Sequence, residues 1–267
     1  LLGASVIRPL TPVELNVPAW PPAPPFFKWV DRVCFAPFER WDVVYYLRIA
    51  AQGYSLDDGT LQFHPLFPVV ARPLISLGLS PLLALFTVQT CSFLCLVAVF
   101  YQLARLDLSP RDASFCVLGL ILSPFAFALM IPYSEATFLL LIALSVFWAR
   151  TGRWWRAGLT GMLATLTRQQ GLFLVLPLAW LAWISSGGCW DAVEANLRNR
   201  RSDALRKAFA VSCVPVAYLV WIVYRGIFYS DIGTDVSSFH DLVYTFLISP
   251  QSARVVPVQS FQWPWVA

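Results

Sequence analysis

Six apolar runs, at about 80–103, 113–131, 134–149, 156–168, 170–187 and 208–229, follow one another with short polar breaks between them. Most approach the roughly 20 residues that a helix needs to cross about 30 Å of hydrocarbon. Such a chain cannot hide its apolar surface in an aqueous globule. Its residues are 58% hydrophobic and only 13% charged, where a soluble domain carries about 25% charged residues. The bilayer is therefore the solvent, and the pattern predicts an all-α, polytopic membrane protein. Residues 1–78 read as a non-cytosolic loop with a short interfacial helix, 79–229 as a transmembrane region of about six spans, and 230–267 as a second non-cytosolic loop.

Basic residues orient the bundle. Arg105 and Arg111 lie in one loop, Arg150, Arg153 and Arg156 in another, and Arg198, Arg200, Arg201, Arg206 and Lys207 in a third. The run from Arg156 to Thr167 is short, covering under about 20 Å as a helix. It meets Thr167-Arg168-Gln169-Gln170-Gly171 before a second apolar run begins. If these two runs form a down-and-back pair, all three basic loops fall on one side, which the positive-inside rule makes cytoplasmic. The N-terminal region, the Pro132-Tyr133-Ser134-Glu135 turn, the break at Arg168 and the tail after Phe228 then share the opposite side. A polar break at membrane depth is tolerated only where protein or water satisfies it.

Before the first long run, seven prolines between residues 11 and 38 make an extended, irregular approach. Residues 41–52 read as a short helix with Asp42 at its mouth and Gly53 at its end, its aromatics suited to the membrane interface. The six cysteines (Cys34, Cys91, Cys95, Cys116, Cys189 and Cys213) form no disulfide framework and no C-x-x-C pair, and read as small apolar side chains. With two histidines in the chain, a zinc site is not expected; dependence on another metal is left open.

Few ionisable side chains remain, and each has a functional and a structural reading. Asp42 can serve as general base for a sugar hydroxyl that attacks the anomeric carbon of an activated sugar; it can equally cap the helix that starts at Val43. Arg40 can bind phosphate and Trp41 can stack on a sugar, or the two can anchor the chain among lipid headgroups. Arg168 sits where positive charge is disfavoured, so an intramembrane cation there points to function. Its guanidinium matches the fork geometry of a lipid-phosphate leaving group, although snorkelling at a helix end would also accommodate it. Ser134 as N-cap and Glu135 on the helix dipole need no function, yet Glu135 can be a second polar group facing the same cavity. His64, in the aromatic turn Phe63-His64-Pro65, can bond substrate or hold structure. Asp231, Asp235 and Asp241 show no metal-ligand spacing.

Four blocks in order resemble the PIG-V family of mannosyltransferases and its prokaryotic relatives. They are Arg40-Trp41-Asp42 with Tyr46, Ile49-Ala50 and Gly53-Tyr54; Phe63, Pro65 and Phe67-Pro68; Tyr133, Glu135 and Phe138; and Leu163-Ala164-Thr165 with Thr167-Arg168 and Gly171. They cover about residues 39–175. The resemblance implies a multi-span bundle of the GT-C glycosyltransferase class, with a first span before the Asp42 loop and several after the tail. It also implies a polyprenyl- or dolichyl-phosphate sugar as donor, a glycolipid or glycan acceptor, and a site on the periplasmic or lumenal face of a bacterial plasma membrane or the endoplasmic reticulum membrane. Within it Asp42 would be the base, with Arg40, Trp41, His64, Tyr133, Glu135 and Arg168 around the substrates. No nucleic-acid partner is expected, and an accessory membrane subunit is compatible with this reading. A lipid or solute transporter or flippase, and a non-catalytic subunit that keeps the scaffold, are the competing classes; a transporter would show pseudo-symmetric halves, and none is apparent.

Overall fold

The computed structural model describes residues 42–55, 59–189 and 201–229; Arg40, Trp41, Cys34 and the aspartates of the tail lie outside them. Among the described residues every regular element is helical. The helices are α1 (Asp42–Gln52), α2 (Leu66–Ser76), α3 (Pro81–Ala104), α4 (Pro110–Leu122), α5 (Glu135–Arg150), α6 (Trp154–Thr167), α7 (Val175–Ser185) and α8 (Arg201–Tyr229). Short 3-10 turns at Thr60–Gln62, Pro124–Leu129 and Gln169–Leu174 join them. The chain divides into two compact units, Leu1–Trp221 and Ile222–Ala267. The site and the bundle contacts described below all lie in the first.

Local chemistry sets many of the boundaries. Helix α1 ends at Gly53, whose φ of 93° is open to glycine, and Gly53 N–H closes on Ile49 C=O at 3.0 Å. The same carbonyl accepts a bond from Arg72 Nη2 at 3.0 Å, so a cation from α2 finishes the C-terminus of α1. Helices α3 and α4 open alike: Ser80 and Ser109 accept from the N–H three residues on, and Pro81 and Pro110 occupy the first turn, where a missing N–H costs nothing.

Among the described residues two helices, α3 and α8, are long and apolar enough to cross a membrane. The other four of the six runs form helices of 11 to 16 residues, about 17–24 Å long. Proline and polar residues divide them. Ser123-Pro124 ends α4 and starts a 3-10 turn, and Arg168, with extended backbone, ends α6. Leu94, Phe115, Leu118, Leu122, Phe125, Leu176 and Trp180 are exposed on α3, α4, α7 and the turn after α4. So much outward apolar surface suits lipid rather than water.

Inside the bundle the helices approach closely through small residues. A Cβ placed on Gly158 would stand 2.8 Å from Ala210 Cα of α8, and one on Gly161 would stand 3.0 Å from Val214. Small residues spaced three and four apart are the usual means of close helix approach in membranes. Polar rungs tie neighbouring helices: Ser92 and Thr137 hydroxyls meet at 2.8 Å, Ser145 Oγ donates to Ala157 C=O at 2.7 Å, and Gln89 Nε2 donates to Leu129 C=O.

The pair formed by α6 and α7 folds down and back. Lys207 reaches both ends at once: its Nζ lies 5.8 Å from the Trp154 ring at the start of α6 and donates to Ser185 C=O at the end of α7. Asp107 forks onto Arg150, bringing the loop after α3 to the loop after α5. The basic loops at Arg105, Arg150 and Lys207 therefore gather at one end, and Glu135 and Arg168 lie at the other ends of their helices.

The reversal depends on Gly171. A Cβ there would fall 2.5 Å from Thr165 Cα and 2.8 Å from Ala164 C, both rigid backbone. Gly119 on α4 has nothing within 4 Å. Gly171→Ala should therefore destabilise the purified protein by about 1–3 kcal/mol, whereas Gly119→Ala should be neutral or slightly stabilising. Thermal-unfolding midpoints of the two variants in detergent check this, and equal midpoints would contradict the packing at Gly171.

Candidate active site

Asp42 stands in the first turn of α1, and Tyr46 follows on the same helical face one turn later. The helix is described from Asp42 onward, and the flank that would decide the capping reading of Asp42 lies outside the described residues. Phe63 packs on this face: its ring meets Tyr46 edge-on at 5.2 Å and stacks on Tyr45 at 4.7 Å. That contact seats α1 on the segment leading into α2.

Tyr46 is buried, and its hydroxyl meets Ser134 Oγ at 2.8 Å. Ser134 occupies the N-cap position of α5, but its side chain makes no capping bond. The expected cap is absent because the hydroxyl is committed to tertiary partners. It also accepts from Arg168 Nη1 at 3.2 Å. The same Nη1 pairs with Glu135 Oε1 at 2.5 Å. Arg168 and Glu135 are each about a quarter exposed, at 25% and 26%, so the pair is reachable from outside. Glu135 keeps the place on the α5 dipole that its position implies. Its second oxygen, Oε2, is buried with no hydrogen-bond partner among the described residues.

Arg168 is aimed here by its backbone. Helix α6 stops at Thr167, and Arg168 turns extended (φ −153°, ψ 144°). Its N–H still bonds Ala164 C=O at 3.1 Å, and its C=O accepts from Gly171 N–H at 2.9 Å. The break therefore leaves neither main-chain group of Arg168 unsatisfied, as membrane depth requires.

Charge in the group is coupled. Burial pushes the Asp42 carboxyl above its ordinary value, and the Arg168 guanidinium pulls it partly back. Burial holds the Tyr46 phenol at about 12. Tyr133 is likewise raised to about 12, by burial and then by the negative charges of Asp42 and Glu135. Both tyrosines are thus neutral hydrogen-bonding groups beside two carboxylates and one cation. Asp42, Tyr133, Glu135 and Arg168 come together, although α1, the turn before α5 and the end of α6 are far apart in sequence.

His64 takes a different position. It is buried, with its ring near-parallel to Tyr218 at 6.3 Å and 5.9 Å from Trp221. Tyr218 Oη accepts from Gln169 Nε2 at 3.2 Å, so α8 reaches the residue next to Arg168. Arg40 and Trp41 fall outside the described residues. Among the described residues no three His, Cys, Asp or Glu side chains gather as metal ligands would.

Sequence reasoning missed Tyr46 and Ser134 as members of the group, and Gln169 with Tyr218 behind it. The i, i+4 spacing of Asp42 and Tyr46 was an available signal. Nothing local announced that Ser134 would turn away from its own helix.

The chain matches the family described as Mannosyltransferase (PIG-V) over residues 11–236. A relative, GPI alpha-1,6-mannosyltransferase 2 of Cricetulus griseus, is 34% identical over 148 residues, which are 51% of this chain and 30% of the relative. The match thus spans less than a third of that relative's length. No solved structure gives a significant match. The matched stretch takes in Asp42, Tyr133, Glu135 and Arg168, and the chain belongs to the PIG-V mannosyltransferase family.

Proposed function

We propose that this group is the reaction centre of a multi-pass integral-membrane mannosyltransferase, in which mannose passes from a polyprenyl- or dolichyl-phosphate to a hydroxyl of a glycolipid or glycan. The observation that carries the reading is the Arg168–Glu135–Ser134–Tyr46 cluster at the foot of Asp42's helix, with the Arg168 guanidinium near enough to Asp42 to lower a carboxyl that burial raises. Family membership supports mannose as the sugar, and the name of the Cricetulus griseus relative supports a glycolipid acceptor.

In this reading the acceptor hydroxyl attacks the anomeric carbon as the bond from that carbon to the lipid-phosphate oxygen breaks. Asp42 takes the hydroxyl proton, and a single displacement inverts the anomeric centre. A carboxylate raised by burial is a stronger base than an ordinary aspartate. The departing lipid phosphate carries the negative charge, and Arg168 receives it. All side-chain hydrogen bonds of Arg168 among the described residues run through Nη1, and its planar guanidinium can meet a phosphate as a two-point fork. Tyr133, held neutral, offers a hydroxyl at the same place.

The site lies at the end of the bundle away from Arg105, Arg150, Arg153 and Lys207. Under the positive-inside rule that end is lumenal or periplasmic, the side on which a lipid-linked donor rather than a nucleotide sugar is at hand. Helices α3 and α8 support membrane crossing. The shorter helices are read as completing further crossings as pairs or with their 3-10 turns.

Asp42→Asn should lower transfer from dolichyl-phosphate mannose by about 100-fold or more while membrane insertion and yield stay normal. Transfer unchanged in that variant would remove Asp42 as base. The pH dependence follows from the same geometry. The base works only when deprotonated, so kcat/KM should fall as pH drops through the raised Asp42 value, at a higher pH than an ordinary carboxylate would give. Arg168→Gln removes the opposing charge, so the acid limb should move to still higher pH. A limb that stays in place, or moves down, would separate the two residues.

A further inference from the structure

We infer that Glu135 competes with the lipid phosphate for Arg168, yielding the guanidinium when donor binds and reclaiming it to expel the phosphate product. The inference rests on Arg168 as the phosphate-binding cation and goes beyond it by giving Glu135 a part in turnover.

The geometry fits an exchangeable partner. Glu135 holds Arg168 by one oxygen, Oε1, on one nitrogen, Nη1. Its other oxygen is buried without a hydrogen-bond partner among the described residues. A carboxylate so placed has lost water and regained only half of its bonding capacity, and a one-point contact is weaker than the two-point fork that arginine makes with carboxylate or phosphate. A lipid phosphate has the oxygens for the fork.

Exchange also needs an anchor that stays. Ser134 supplies it: fully buried and held by Tyr46, it accepts from the same Nη1. Arg168 therefore keeps its aim when Glu135 lets go. Both side chains of the ion pair are partly exposed, so phosphate can reach them without unfolding the turn. Glu135 also stands in the first turn of α5, where the helix dipole favours an anion. That field holds a released carboxylate close by, ready to return once the sugar has left.

The test uses the membrane-purified protein with dolichyl-phosphate mannose as donor and dolichyl phosphate as product inhibitor. In Glu135→Gln the donor KM should fall by roughly tenfold, a modest coupling between neighbouring charges. The inhibition constant of dolichyl phosphate should fall by a similar factor, and kcat should not rise. Glu135→Asp, with the charge kept but the reach shortened, should shift both constants the same way by less, and it carries the test if the glutamine variant does not fold. A carboxylate with only a structural part would lower yield or kcat without tightening either phosphate ligand. If KM and the inhibition constant stay put or rise in both Glu135 variants while Arg168→Gln weakens both ligands, the competition is overturned and the role of Arg168 stands. If Arg168→Gln leaves both constants unchanged, the phosphate-binding reading itself fails, and this inference with it.

Discussion

The close approach of Gly171 to the backbone of Thr165 is the contact on which the rest of the site depends. It reverses the chain within a 3-10 turn and lets α7 retrace α6. Arg168 sits at the start of the reversal, in extended conformation, at the one place where a helix stops and its side chain can leave the helical wall. Had α6 run on to make one long helix with α7, the guanidinium would have faced lipid or been pulled along the helix to the interface. Thr165 and Thr167 hydrogen-bond back to Gly161 C=O and Leu163 C=O, an arrangement that loosens and bends a helix, here in the last turn before the stop. Backbone economy and the position of the charge are thus one problem with one solution.

Around that cation the charges balance without cancelling. Two carboxylates face one guanidinium, and two tyrosines stay protonated because burial makes a phenolate expensive. The group carries a net negative charge when its carboxylates are ionised. The tyrosines feel this charge, which adds to the burial that raises them, whereas at Asp42 desolvation raises the carboxyl and Arg168 restrains it. The same cation thereby bears on the proton affinity of one carboxylate while it hydrogen-bonds the other.

Much of the scaffold was legible in the residues. Gly53 closed α1, and the break at Arg168 fell where polar residues interrupted an apolar run. The gathering of the basic loops followed from the hairpin that this break implied. Less visible was how many runs would form a helix of full span length: apolarity measures affinity for lipid and does not register where Ser123-Pro124 stops the backbone. Ser134 read as a cap because capping is the local option for a serine before a helix. Only the tertiary approach of Tyr46 and Arg168 turns it outward, and no window of sequence around residue 134 contains either partner. The same holds for Gln169 with Tyr218, and for the fork of Arg150 on Asp107.

The polar rungs between α3, α5 and α6 carry a mechanical consequence. In a hydrocarbon medium a hydroxyl or amide that loses its partner finds no water to replace it. Sliding α5 along α3 by a single turn would strand Ser92 and Thr137 together, so this pair of helices resists axial slippage more than smooth apolar surfaces would. The mouth of α5, where Ser134 and Glu135 sit, is thereby held at one height against α3.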